Sequence, residues 1–168
     1  MNEFDPSLNS SGEPQEENNF LASHIDLLCD SYRRVTGREL TASDGNSRVR
    51  AHAIWLAPFI VASHGTQADP IFNYANRSAL ALWEMDWTTF TQLPSRYSAE
   101  PVAREERERL LAAVTAHGFI DNYSGVRVTA SGRRFRIEHA TVWNLIDAEN
   151  TLHGQAVVFE HFNSLSEK

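Results

Sequence analysis

Seven histidines, at positions 24, 52, 64, 117, 139, 153 and 161, and one cysteine, Cys29, hold most of the reactive chemistry of this chain. No two histidines stand at the HxH or HxxxH spacing that places two metal ligands on one element, so a metal centre would need residues from distant segments. A phosphate-cradling loop needs a Lys after closely spaced glycines. The only Lys is Lys168, and no two of the eight glycines lie nearer than seven positions apart. HExxH and GxSxG are both absent. A single cysteine excludes an internal disulfide and any CxxC redox pair.

Three histidines stand out by their faces. His139 shares the alternating face of an apolar strand with Phe135 and Trp143, His117 follows Leu110 and Val114 on a helix flank, and His161 lies near Phe159. Facing one cavity, they could bind an anionic or heterocyclic ligand, or ligate haem iron through a neutral imidazole. The cofactor itself stays unknown. The residues expected to line such a cavity are Tyr74, His117, Phe135, His139, Trp143 and Phe159. The plainer alternative is that these histidines and aromatics are ordinary core, since His is often half-buried and pockets are few per protein. A His/carboxylate pair, His139 with Asp121 or Glu160, is the arrangement a small α+β enzyme would use. Arg133, Arg134 and Arg136 read as the solvent face of a strand, and Cys29 as packing on a helix.

The elements that must position these groups follow from periodicity. Leu21, Ile25, Leu28, Tyr32 and Val35 draw one apolar stripe, which predicts an amphipathic helix over 20–35, stopped by Gly37 and offering a face for self-association. A polar loop is expected around Thr41 to Arg48, then strands at Phe59 to His64 and Ile71 to Asn76. Asn76 should cap a helix from Arg77 to about Glu84, and a short helical piece is expected at Thr88 to Leu93. Pro101 opens a longer helix to His117, whose run Arg104 to Arg109 reads as a solvated charged face. Three strands close the chain, Phe119 to Ala130, Arg133 to Ile146 and Gln155 to Phe162. In the middle one, Phe135, Ile137, His139, Thr141, Trp143 and Leu145 share a face by alternation. The fold class is α+β, one antiparallel sheet of five strands packed on helices.

Composition bounds the function. The chain has 168 residues with 22 acidic and 15 basic side chains, a net charge of -7. Glu3, Asp5, Glu13, Glu16 and Glu17 all fall in the first eighteen residues, which hold no base, so most of the charge sits in a lead read as flexible. Domain boundaries are drawn at a 1–18 tail, a 19–163 domain and a 164–168 tail. Acidity opposes direct nucleic-acid binding. No apolar run reaches the ~20 residues of a membrane span and no leader pattern opens the chain, which leads us to expect a cytoplasmic protein.

The stretch Asp69-Pro-Ile-Phe-Asn-Tyr-Ala-Asn-Arg77, with Ala79, Leu82 and Trp83, resembles the opening strand and helix of a PAS domain. More specifically, Ala57 to Gly65, Gly118 to Arg127, Gly132 to Glu138 and Ala140 to Leu145 resemble the MEKHLA domain. That PAS-related module occurs alone in bacteria and at the C-terminus of plant class III homeodomain-leucine-zipper regulators, and the likeness here points to the bacterial stand-alone type. The resemblance spans about Asn19 to Phe162. It implies a PAS-like five-stranded sheet with helices on one face, a sensory or interaction role and no reaction of its own. It also implies a small apolar or aromatic ligand, a homodimer formed through the helix over 20–35, and a separate signalling partner. The cysteine motif of a light-sensing flavin domain is missing, because Cys29 precedes the sheet.

Overall fold

The computed structural model describes residues 12–42 and 45–165. Within the expected tail, residues 1–11 lie outside the described residues, and so do 166–168 at the other end. The lead is nonetheless built from Gln15 onward. A 3-10 helix spans Glu16–Leu21, opened by a reciprocal pair between Gln15 and Asn18. Asn19, Phe20 and Leu21 all have positive φ, a conformation that needs support from outside the turn. Phe20 supplies it: the ring is buried, stacks on His52 at 4.3 Å and lies under the Arg48 guanidinium.

The stripe helix is α1, Ala22–Thr36, ending at Gly37 in the left-handed conformation. A second helix, α2 (Ser47–Trp55), occupies what was expected to be the end of a loop. Its signal was Asn46, whose Oδ1 accepts from the Val49 N–H at 3.0 Å, followed by buried Ala51, Ile54 and Trp55 at helical spacing. Strands β1 (Ile60–His64) and β2 (Phe72–Ala75) come next, then α3 (Arg77–Trp83), α4 (Trp87–Phe90), a 3-10 turn at Ser95–Ser98, and α5 (Pro101–His117). The chain closes with β3 (Phe119–Val128), β4 (Arg134–Ile146), β5 (Leu152–Phe159) and β6 (His161–Ser164).

All pairings are antiparallel, in the order β2-β1-β5-β4-β3, with β6 also on β4. β5 and β6 pair with successive halves of one side of β4, so the last expected strand is present but interrupted at Glu160. Gly154 permits the join of β5 to β1. Its φ is +145°, and an added Cβ would lie 1.9 Å from the His64 carbonyl oxygen.

Helices cover both faces of this sheet. On one, α5 sets Leu110 and Val114 against Val142, and Trp83 of α3 packs on Phe135 and Phe159. On the other lies α1, whose Ile25, Leu28 and Tyr32 are buried against the sheet; Tyr32 meets Trp143 edge-on at 4.9 Å. The stripe read as a face for self-association is therefore spent inside the chain. The longer sheet exposes enough apolar surface on its outer side to need a cover, and α1 provides it.

Asn76 ties these parts together. It is fully buried and makes all four hydrogen bonds an amide side chain can make. Oδ1 accepts from Ala79 N–H at 3.1 Å, capping α3, and from Val61 N–H at 3.2 Å on β1. Nδ2 donates to the Phe59 carbonyl at 2.8 Å and to the Ile54 carbonyl at 3.1 Å at the end of α2. One side chain thus joins α2, α3 and the start of β1.

Candidate functional site

The strand alternation expected through β4 breaks at one residue. His139 has φ +54° and Asn122 opposite it has φ +56°; the ladder between β3 and β4 shifts register around both. His139 Nδ1 and Asn122 Oδ1 are 2.7 Å apart, so the two irregular residues hold each other. An extra residue reverses the faces beyond it. Ile137, before the bulge, and Val142, after it, line the same cavity toward α5, whereas Trp143 turns to α1 and donates from Nε1 to Ser31 Oγ at 3.1 Å.

The six expected cavity residues are scattered as a result. Tyr74 is fully buried near His24 and Trp87, with ring centroids 5.6 and 5.8 Å away, and burial pushes its phenol up. His117 is exposed at the end of α5. Phe135 and Phe159 pack on Trp83 as core. Trp143 is core against α1. His139 is exposed, beside His161, over an open groove that also includes Tyr32, Thr141, Glu160 and Phe159, so His139 and Phe159 of the six share one groove. None of the six lines the cavity between sheet and α5.

That cavity, of about 50 Å³, is walled by Ile137, Val142, Leu110 and Trp83, and by polar side chains that include His64, Arg107, Arg127, Ser98 and Gln155. His64 ends β1 and is 8% exposed. Its Nδ1 lies 2.9 Å from the Gly65 carbonyl, so Nδ1 carries the proton; Nε2 is a bare acceptor with no partner among the described residues. Burial, with the Arg107 charge adding to it, holds the ring down at about 4. Arg107 and Arg127 are each 7% exposed. Arg107 donates to Ser95 Oγ at 2.5 Å, and Arg127 to Tyr123 Oη at 3.1 Å and to its neighbour's carbonyl. Neither guanidinium has a carboxylate ion-pair partner among the described residues. Burial and the nearby Arg127 lower Arg107 to about 10.

Arg107 was hidden in a run read as solvated. Its register was visible, though, because it precedes Leu110 by three and Val114 by seven, the spacing of one helix face. Of the expected enzyme pair, Asp121 binds Arg38 at 2.9 Å and Thr141 Oγ1 at 2.6 Å, and His139 takes Asn122 instead. The His/carboxylate pair that does form, His153 with Asp147 at 2.7 Å, lies in an exposed turn. Cys29 is 2% exposed and burial pushes its thiol up to about 12, so it holds no thiolate at neutral pH.

The neutral His64 has a measurable consequence. Its folded value is depressed below the usual 6.5, so the unfolded chain binds the extra proton first and stability falls as pH drops from 6.5 toward 4. His24, which donates from Nε2 to Ser63 Oγ while that hydroxyl serves Asn73, is also held at about 4 and acts in the same direction. Urea titrations are expected to lose about 2 kcal/mol between pH 6.5 and 4.5 from His64 alone. His64→Gln should flatten that slope by the same amount; an unchanged slope would mean the ring is solvated.

The fold is that of solved PAS and light-oxygen-voltage domains. A PAS domain from Colwellia psychrerythraea aligns with TM-score 0.58 and 14% identity over 70% of this chain and 95% of its own. The PAS domain of a LuxR-family transcriptional regulator from Burkholderia thailandensis, solved in complex with ethanol, aligns at 0.51 and 19%, over 69% and 96%. A fungal light-oxygen-voltage photoreceptor domain aligns at 0.54 and 18%, over 89% and 98%. Sequence relatives are homeobox-leucine zipper proteins: HOX29 of Oryza sativa subsp. indica, 27% identical over 125 residues, and ATHB-15 of Arabidopsis thaliana, 27% over 138. The matches cover 73% and 79% of this chain but only 14% and 16% of those proteins. These relatives are plant proteins, which overturns the assignment to a bacterial type. The MEKHLA domain matches residues 22–164, from the first turn of α1 to the last strand, and the chain belongs to the MEKHLA domain family.

Proposed function

We propose that the chain is a PAS-type sensory and interaction module that binds a small ligand between the sheet and α5 and passes the change to a protein partner, with no catalysis of its own. The observation that carries this reading is the cavity beside Val142, where buried polar side chains, His64, Arg107 and Arg127 among them, converge and the His64 Nε2 acceptor lacks a partner among the described residues. In scaffolds of this kind a convergence of polar groups in an apolar pocket is the default binding site. The Burkholderia PAS domain solved with ethanol supports a ligand of similar size. A flavin does not fit the same reading: about 50 Å³ is far below the ~300 Å³ at which pockets for drug-sized ligands begin.

Self-association through α1 loses its physical basis, because the stripe is buried under the chain's own sheet. An enzyme built on His139 and a carboxylate lacks the required contact. A lack of direct nucleic-acid contact goes with this reading, on the acidic balance. The test is to purify the chain, release bound small molecules by denaturation for mass spectrometry, and solve a crystal structure. A discrete molecule in the cavity supports the sensory role. A cavity holding only water, in a protein whose melting temperature no cell extract raises, removes it.

A further inference from the structure

The cavity does more than admit a small molecule; its polar groups define one. Two guanidiniums, each more than nine-tenths buried, face it without a carboxylate ion pair among the described residues. Charges of one sign held this way, largely buried and away from carboxylates, call for an anion. Their positions are built rather than incidental. Arg107 is anchored by Ser95 Oγ at 2.5 Å and Arg127 by Tyr123 Oη at 3.1 Å. Gly125 lies between Tyr123 and Arg127 on β3, where an added Cβ would come within 2.2 Å of the Tyr123 oxygen and 3.1 Å of Arg127 Nη1. The glycine therefore leaves the space that lets Arg127 lie along the strand to its tyrosine.

His64 adds a requirement of opposite sense. Its Nδ1 proton is committed to the Gly65 carbonyl, so the unpartnered Nε2 can only accept. A simple anion satisfies the arginines and leaves Nε2 bare. A ligand that carries an anionic group and a hydroxyl donor satisfies all three. Size narrows it further: about 50 Å³ is roughly three to five times the ~10–15 Å³ that one water occupies on this measure, and Ile137, Val142 and Leu110 supply an apolar wall for a methyl group.

We propose that the cavity is a site for a small α-hydroxy carboxylate of two to four carbons, its carboxylate held by Arg107 and Arg127 and its hydroxyl donated to His64 Nε2. This ligand class rests on the sensory reading above and sharpens it. Guanidinium donors suit a planar carboxylate, and Arg is the residue that matches its geometry.

Calorimetric titration and thermal melting at pH 7 test the ligand class with glycolate and lactate, against propionate, 1,2-propanediol, chloride and sulfate. Glycolate or lactate should bind and raise the melting temperature. Propionate, which lacks the donor, should bind about tenfold more weakly, as the loss of one buried hydrogen bond implies. Propanediol should have no effect, and chloride and sulfate, which can meet the guanidiniums but not His64 Nε2, should bind more weakly than lactate. Arg127→Gln should weaken lactate at least about tenfold and Arg127→Lys less, with Arg107→Gln as a second arm if it folds. Equal responses to propanediol or to chloride, or an unchanged affinity in Arg127→Gln, would overturn the ligand class. A neutral or aromatic molecule recovered from the cavity overturns it too, yet keeps the sensory role. No response to any probe or extract, with water alone in the cavity, overturns both.

Discussion

Asn76→Asp is expected to destabilise the domain by about 3–5 kcal/mol, the range for a buried charge left without its partner. The substitution keeps shape and the two bonds accepted by Oδ1 from Val61 and Ala79. It replaces Nδ2, which donates to the carbonyls of Ile54 and Phe59, with an oxygen that can only accept. Three oxygens then meet in a site with no solvent exposure, unless the carboxylic acid keeps its proton. Asn76→Ala removes both sets of bonds, leaving two N–H groups and two carbonyls to find other partners, and is expected to cost about 2–4 kcal/mol. Urea denaturation measures both. A cost within 1 kcal/mol of zero for Asp would mean that water reaches Asn76 and that the junction of α2, β1 and α3 does not depend on it.

Trp143→Ala is expected to cost about 3–5 kcal/mol, typical for deleting a buried large aromatic. The indole is fully buried, meets Tyr32 of α1 at 4.9 Å and donates to Ser31 Oγ, whose own proton serves the Leu27 carbonyl at 2.5 Å. Its loss opens a void between α1 and β4 that neither element can close, because α1 is also pinned through Ile25 and Leu28. Trp143→Phe keeps most of the apolar volume and drops only the hydrogen bond, for about 1 kcal/mol. The pair separates two roles for Trp143. A wall of the ligand site would change ligand affinity in both variants. An anchor for α1 changes stability and leaves the affinity of the folded protein alone, which is the expected result.

Most of the element boundaries were legible because their causes are local. Asn76 as an N-cap, Gly37 as a left-handed stop, Pro101 at a helix start and the stripe Ile25, Leu28, Tyr32 each act within a turn or two of the chain. The helix over Ser47–Trp55 was missed: its first residues were read as the end of a polar loop and residues 49–54 were given to no element, although Asn46 marked its start. Site residues were harder for a different reason. The six expected residues were chosen by face, and the face of Thr141, Trp143 and Leu145 depends on one extra residue at His139. A left-handed histidine held by Asn122 has no periodic signature.

By itself the sequence determined the family, most of the strand and helix content, the acidic lead and the absence of metal or phosphate-loop spacing, since each is a property of types and short separations along the chain. Only the tertiary structure decided which residues meet. It put α1 and α5 on opposite faces, buried the dimer stripe, sent Trp143 away from the cavity and brought His64, Arg107 and Arg127 together from β1, α5 and β3. The physical reason is that periodicity records which residues share a side of their own element, while bulges and sheet order set which side faces which neighbour.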